Sequence, residues 1–135
     1  MASGIYNRFK ANLMNKEVDL EADTIKVALM TSSHSFTATD NQWSDVSANE
    51  TSGTGYTAGG KSLSNKSVTQ AATTYFNADD VSWSSATFDT SHAVIYDDSL
   101  TNDDLICSFD FGGQQSISSG TFTIEWDTSG IITLS

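Results

Sequence analysis

From residue 81 onward, apolar and polar side chains alternate in short runs. Leu105, Cys107, Phe109 and Phe111 alternate with Ile106, Ser108, Asp110 and Gly112, and Phe122, Ile124 and Trp126 alternate with Thr121, Thr123, Glu125 and Asp127. Strand side chains point to opposite faces with period two, so each run predicts a strand with one face on a core and the other largely polar. Val81, Trp83 and Ser85, set against Ser82, Ser84 and Ala86, predict a shorter strand with the tryptophan inward or at an edge. Residues 93–96 are apolar at every position, which predicts a strand covered on both faces. Residues 97–104 read as an acidic turn and 112–120 as a link rich in Gly, Gln and Ser, while Ser129-Gly130 turns the chain into a last strand over 131–134.

The first half is less regular. Ser3 is placed to cap a helix from about 4 to 15, on which Ile5, Tyr6, Phe9 and Leu13 share one stripe and Arg8, Lys10 and Asn12 lie off it. Three turns are marginal alone, so the stripe is expected to dock on the sheet or on a partner chain. Residues 17–23 read as a turn; Ile25, Val27 and Leu29 then alternate with Lys26, Ala28 and Met30 as a strand, and 61–69 and 74–78 read as two strands or a hairpin. Residues 31–60 carry Phe36, Trp43, Val46 and Tyr56 without sustained periodicity. Irregular connections longer than about 12–15 residues are uncommon in compact domains, so this segment is either a partner interface or a loop whose aromatics cap the core. The elements together predict one mainly β domain, an antiparallel β-sandwich or barrel-like sheet with one N-terminal amphipathic helix packed on it.

Composition narrows the function classes. The 135 residues include no Pro, and the formal net charge is −11. All six bases (Arg8, Lys10, Lys16, Lys26, Lys61 and Lys66) lie in the first half, whereas residues 67–135 carry ten carboxylates and neither Lys nor Arg. Counterion release needs clustered cations, so nucleic acid and anionic membrane are poor partners for that second half. No signal-like apolar segment opens the chain and no apolar run is long enough to span a bilayer, so the expected setting is a reducing cytoplasm. Cys107, the single cysteine, falls on the same alternating face as Phe109 and reads as an inert buried thiol.

Candidate chemistry is sparse. The two histidines, His34 and His92, lie outside any nucleophile motif, and the acids fall mostly in turns, where solvated carboxylates are ordinary. One Cys and two His cannot fill a structural zinc site. Asp79-Asp80, Asp97-Asp98 and Asp103-Asp104 offer oxygen ligands, but no calcium-loop spacing organises them. The glycine-rich run 53–60 has neither Rossmann nor P-loop spacing and reads as a flexible turn. The reading is therefore non-enzymatic, without cofactor or metal.

Several segments together resemble a family of small virion structural proteins of tailed bacteriophages. They are the N-terminal helix leading into residues 25–33, then 45–50, 52–56 and Gly59-Gly60, the Asp80-Val81-Ser82-Trp83-Ser84 run, residues 93–98, Phe109-Asp110-Phe111-Gly112, and the ending 120–126 with 130–134. The resemblance implies a non-enzymatic particle component located in the virion. It favours a capsid decoration (cement) protein that binds the outside of the major capsid lattice, with homo-oligomers in the particle, and implies neither nucleic acid nor membrane as partner. On that reading Phe36, Trp43 and Tyr56 supply apolar anchors for the major capsid protein or another virion subunit, and Arg8, Lys10 and Lys16 steer the approach. A tail, baseplate or head-tail connector subunit is the second reading. A carbohydrate-binding module with Trp43 or Trp83 as a stacking platform is the third.

Overall fold

The structure is a computed structural model and describes residues 3–135. It is mainly β, with two antiparallel sheets and one helix near the N-terminus. The strands are β1 (Gly4–Ile5), β2 (Ile25–Met30), β3 (Lys61–Ser62), β4 (Ser67–Thr69), β5 (Thr74–Asn77), β6 (Val81–Asp97), β7 (Leu105–Ile124) and β8 (Ile132–Leu134), and the helix is α1 (Asn7–Met14). The larger sheet runs β1-β7-β6-β2-β3 and the smaller β4-β5-β8. Among the described residues no helix is long and apolar enough to cross a membrane.

Strand alternation divides the core in two. Ile25, Val27, Leu29, Ala93, Ile95, Cys107 and Phe109 point from the larger sheet toward Phe76 and Ile132 of the smaller one, joined by Phe9 of α1. Their neighbours Ala28, Met30, Val94, Tyr96 and Leu105 point the other way and are covered by Tyr6, Val46 and Trp43. The run 93–96 is apolar at every position because the smaller sheet and helix cover one face and residues of the 31–60 segment cover the other. That segment is irregular but anchored: it makes two short 3-10 turns, Trp43–Asp45 and Ser47–Asn49, and the Thr51 N–H donates to the Leu29 carbonyl at 2.9 Å.

Four local expectations need correction. Val81–Asp97 is one strand, and so is Leu105–Ile124, including the stretch read as a link; the two form a long antiparallel hairpin with register shifts along it. Residues such as Ser85 (φ 48°), Ser119 (φ 46°) and Gly112 (φ 80°) take the positive φ that bulges use, which breaks the period-two pattern without ending the ladder. One such shift, between Ile95 and Tyr96, places Leu105 on the opposite face from Cys107 and Phe109. At the N-terminus, Gly4 and Ile5 pair with Ser108 and Cys107, so the helix begins only at Asn7. Ser3 is not its cap; its hydroxyl accepts the Asp110 N–H at 2.9 Å, and the N-cap position belongs to Tyr6, which makes no side-chain cap bond. Finally, 61–69 is divided between the sheets, β3 pairing with β2 and β4 forming a hairpin with β5.

Candidate functional site

The shortened helix changes which of its side chains are buried. Phe9 and Asn12 turn inward, and the Asn12 amide donates to the Asp104 carboxylate at 2.8 Å, which ties α1 to the start of β7. Leu13 and Met14 are left 39% and 88% exposed. A Schellman closure ends the helix: the Lys16 N–H donates to the Leu13 carbonyl and the Glu17 N–H to the Asn12 carbonyl, with Lys16 at φ 64°. The chain then runs past Val18 and Leu20 before entering β2.

These residues form one wall of an apolar groove whose other wall is the smaller sheet. Val68, Tyr75, Phe76, Ile132 and Leu134 face Phe9, Leu13 and Met14 across a volume of about 660 Å³. Among the described residues, four of the five exposed large hydrophobics (Leu13, Met14, Val68 and Leu134) line it. Scattered exposed apolar residues are ordinary, but a contiguous group of them marks an interaction site. Lys10 and Lys16 lie among its walls, with Asp19 and Glu21 on the turn that follows the helix.

The sequence-predicted residues are therefore separated. Lys10 and Lys16 belong to the groove, whereas Arg8 is exposed on α1 and does not line it. Phe36 is 39% exposed and packs on Tyr6, ring centroids 4.9 Å apart. Trp43 stacks on Tyr96 at 4.7 Å and 17°. The half-buried Tyr56 hydroxyl accepts the Leu29 N–H at 3.0 Å and donates to Glu50 at 2.6 Å, and the same Glu50 oxygen accepts the Gly59 N–H at 2.7 Å. Trp43 and Tyr56 thus pack against the chain's own core. Trp83 is 1% exposed and has no face to offer a sugar.

Two polar clusters escaped sequence reasoning because their members are far apart along the chain. His34 Nε2 lies 3.2 Å from the Ser108 hydroxyl, and its ring sits 5.2 Å from that of His92, which in turn is 4.0 Å from Asp110. Burial, with His92 beside it, pushes His34 down to about 4. His34 and Ser108 are both buried and neither lines the groove. In the second cluster, burial and the neighbouring Asp23 push Asp97 up to about 7, while the hydrogen bond with Asp97 holds Asp23 low. Among the described residues no three His, Cys, Asp or Glu side chains are placed to hold a metal ion.

Compared with known protein families, curated proteins and solved structures, the chain matches none. Its functional reading therefore stands on the groove, the distribution of charge and the sequence resemblance described above.

Proposed function

We propose that the protein is a non-enzymatic structural subunit of a tailed-bacteriophage virion, a capsid decoration protein that binds the outside of the major capsid lattice. The groove between α1 and the smaller sheet carries the proposal. It gathers four exposed large apolar side chains beside two lysines in a chain of net charge −11. Such a surface suits an apolar segment of a neighbouring subunit: apolar burial supplies affinity, and Lys10 and Lys16, with Asp19 and Glu21 beside them, supply charges of both signs that orient it. None of the acids of residues 67–135 lines the groove, and the exposed ones among them face solvent, where they limit association between particles. The mechanism is mass action, because a protein that binds only the assembled lattice stabilises it in proportion to the copies bound. Phe36, 39% exposed beside Tyr6, lies outside the groove lining and is a second apolar anchor.

Copy number and position on purified particles test the reading. Decoration predicts copies comparable in number to the shell subunits, with antibody label over the head. Label confined to the tail would transfer the protein to the tail or baseplate, and absence from the particle would contradict both positions.

A further inference from the structure

β7 does not run straight. Between the paired positions Thr90–Gln115 and His92–Asp110 it carries more residues than β6 does, with Gly112 at φ 80° and Gly113 at φ 155° in the surplus stretch. The strand bends there and brings the Phe111 ring to 5.6 Å from that of Phe122, at an interplanar angle of 65°. Phe109 and Trp126 form a second ring pair at 5.3 Å and 51°. All four rings line one hollow of about 340 Å³, together with the exposed acids Asp110 and Glu125. This hollow shares no lining residue with the α1 groove.

The chemistry of the lining selects a cation. Aromatic faces and carboxylates both attract positive charge, and among the described residues the lining carries no Lys, Arg or His. The Trp126 indole N–H already donates to the Asp79 carbonyl at 2.9 Å, so it does not supply the acids with a donor. Asp110 Oδ1 accepts the Gly112 N–H at 2.8 Å and stands 4.0 Å from His92 Nδ1. Asp110 Oδ2 and both carboxylate oxygens of Glu125 have no hydrogen-bond or ion-pair partner among the described residues. Acceptors without donors, set beside aromatic rings, suit a cation that has several N–H groups and a flat, weakly hydrated face. Guanidinium has both, whereas a lysine ammonium is compact and strongly hydrated and a quaternary ammonium has no N–H to donate.

We propose that this hollow receives an arginine side chain of a different protein, its guanidinium packed against the Phe111 and Phe122 rings and paired with Asp110 and Glu125. The charge of the chain argues against a second copy in that place. Two copies would each bring a net charge of −11 to the contact, and residues 67–135, which form the hollow's carboxylate and ring walls, hold no Lys or Arg to offset it. An arginine-bearing partner meets the same wall with opposite charge.

The test is an NMR titration of the full-length protein with acetyl-Gly-Arg-Gly-amide, alongside the same peptide carrying lysine or the neutral isostere citrulline. The arginine peptide is expected to produce saturating shifts at the Asp110, Phe111 and Glu125 amides, and the citrulline peptide to bind at least about tenfold more weakly. Phe111→Leu keeps an apolar side chain but removes the ring face, and should weaken the arginine peptide about fivefold or more. Should that variant fail to fold, Glu125→Gln, at an exposed position, carries the same test with an expected loss of about tenfold. The lysine peptide should bind more weakly than the arginine peptide. Absence of saturating shifts at those amides, equal binding of the citrulline peptide, or undiminished binding by the variants overturns the site. Tetramethylammonium binding more tightly than the arginine peptide gives the hollow to a free quaternary ammonium and overturns the guanidinium assignment. Self-association of the protein that Glu125→Gln abolishes gives it to a second copy and overturns the proposed occupant.

Discussion

Between Ala93 and Asp97 the β6 strand is buried at every position, whereas between Val81 and Asp89 the same strand sends Ser82, Ser84, Thr87 and Asp89 to solvent. The difference lies in what surrounds each half. The inner half pairs with β2 as well as β7 and is covered by the smaller sheet and α1 on one side and by residues 43–46 on the other. The outer half has one apolar face, built by Trp83, Ala86, Phe88 and Phe122 with Tyr56 beneath them, and a polar face of Ser and Thr. One pair of strands thus serves as core at one end and as exposed ribbon at the other. The candidate binding groove lies outside the inner half, between α1 and the smaller sheet, where apolar side chains remain exposed.

Truncation should separate the halves most strongly. Ile95→Ala, at a fully buried position of the inner half, is expected to cost about 2–5 kcal/mol. Ile117→Ala, half-buried in the ribbon, should cost about 1 kcal/mol. Urea unfolding of the two variants checks this, and equal losses would remove the distinction.

Titration should act on the inner half. His34, bonded to Ser108 of β7, has a folded value of about 4 against an ordinary 6.5, so the folded state binds fewer protons than the unfolded state between those values. Its contribution is present above pH 6.5 and is lost as pH falls toward 4, amounting to about 3 kcal/mol. Asp97 has the opposite sign. With a folded value of about 7 against 3.8, it holds a proton in the folded state that the unfolded state releases, so stability falls as pH rises through that window. Relative to the native protein, melting temperatures should fall with rising pH from 4 to 7 in His34→Gln and rise in Asp97→Asn. Parallel profiles in all three would contradict the assignment of these groups.

The smallest effect concerns the end of α1. Lys16 holds a left-handed conformation that glycine adopts without strain, so Lys16→Gly is expected to add about 1 kcal/mol of stability while removing a groove cation. Unfolding by urea together with partner binding would separate the two consequences.

The strands at 25–30 and 93–96, and the alternating ends of β7, were legible because their surroundings impose a simple period. The continuity of β6 and β7 was not, since Ser85 and Ser119 give no local sign that they will take positive φ and keep the ladder going. The helix start was misread for a related reason: Ile5 and Tyr6 fit a helical stripe, yet Ile5 pairs with Cys107 and Tyr6 crosses to the second core face. Lys10 and Lys16 could be picked out by charge alone. Their apolar companions come from α1, β4 and β8, segments that only the fold brings together, so no sequence window contains the groove. Trp43 and Tyr56 stood out as aromatics in an irregular segment, and their role as lids on the core follows from contacts with Tyr96, Leu29 and Glu50.

Binding of the purified protein to phage heads stripped of it tests the central claim most directly, with Met14→Glu as the comparison. Met14 is 88% exposed, so the substitution should leave stability within about 0.5 kcal/mol. Co-sedimentation should show the native chain saturating the heads and Met14→Glu binding at least about tenfold more weakly, as expected for a charge placed in an apolar interface. Equal binding of the two proteins would remove the groove from the interface, and no binding by the native chain would contradict decoration of the capsid.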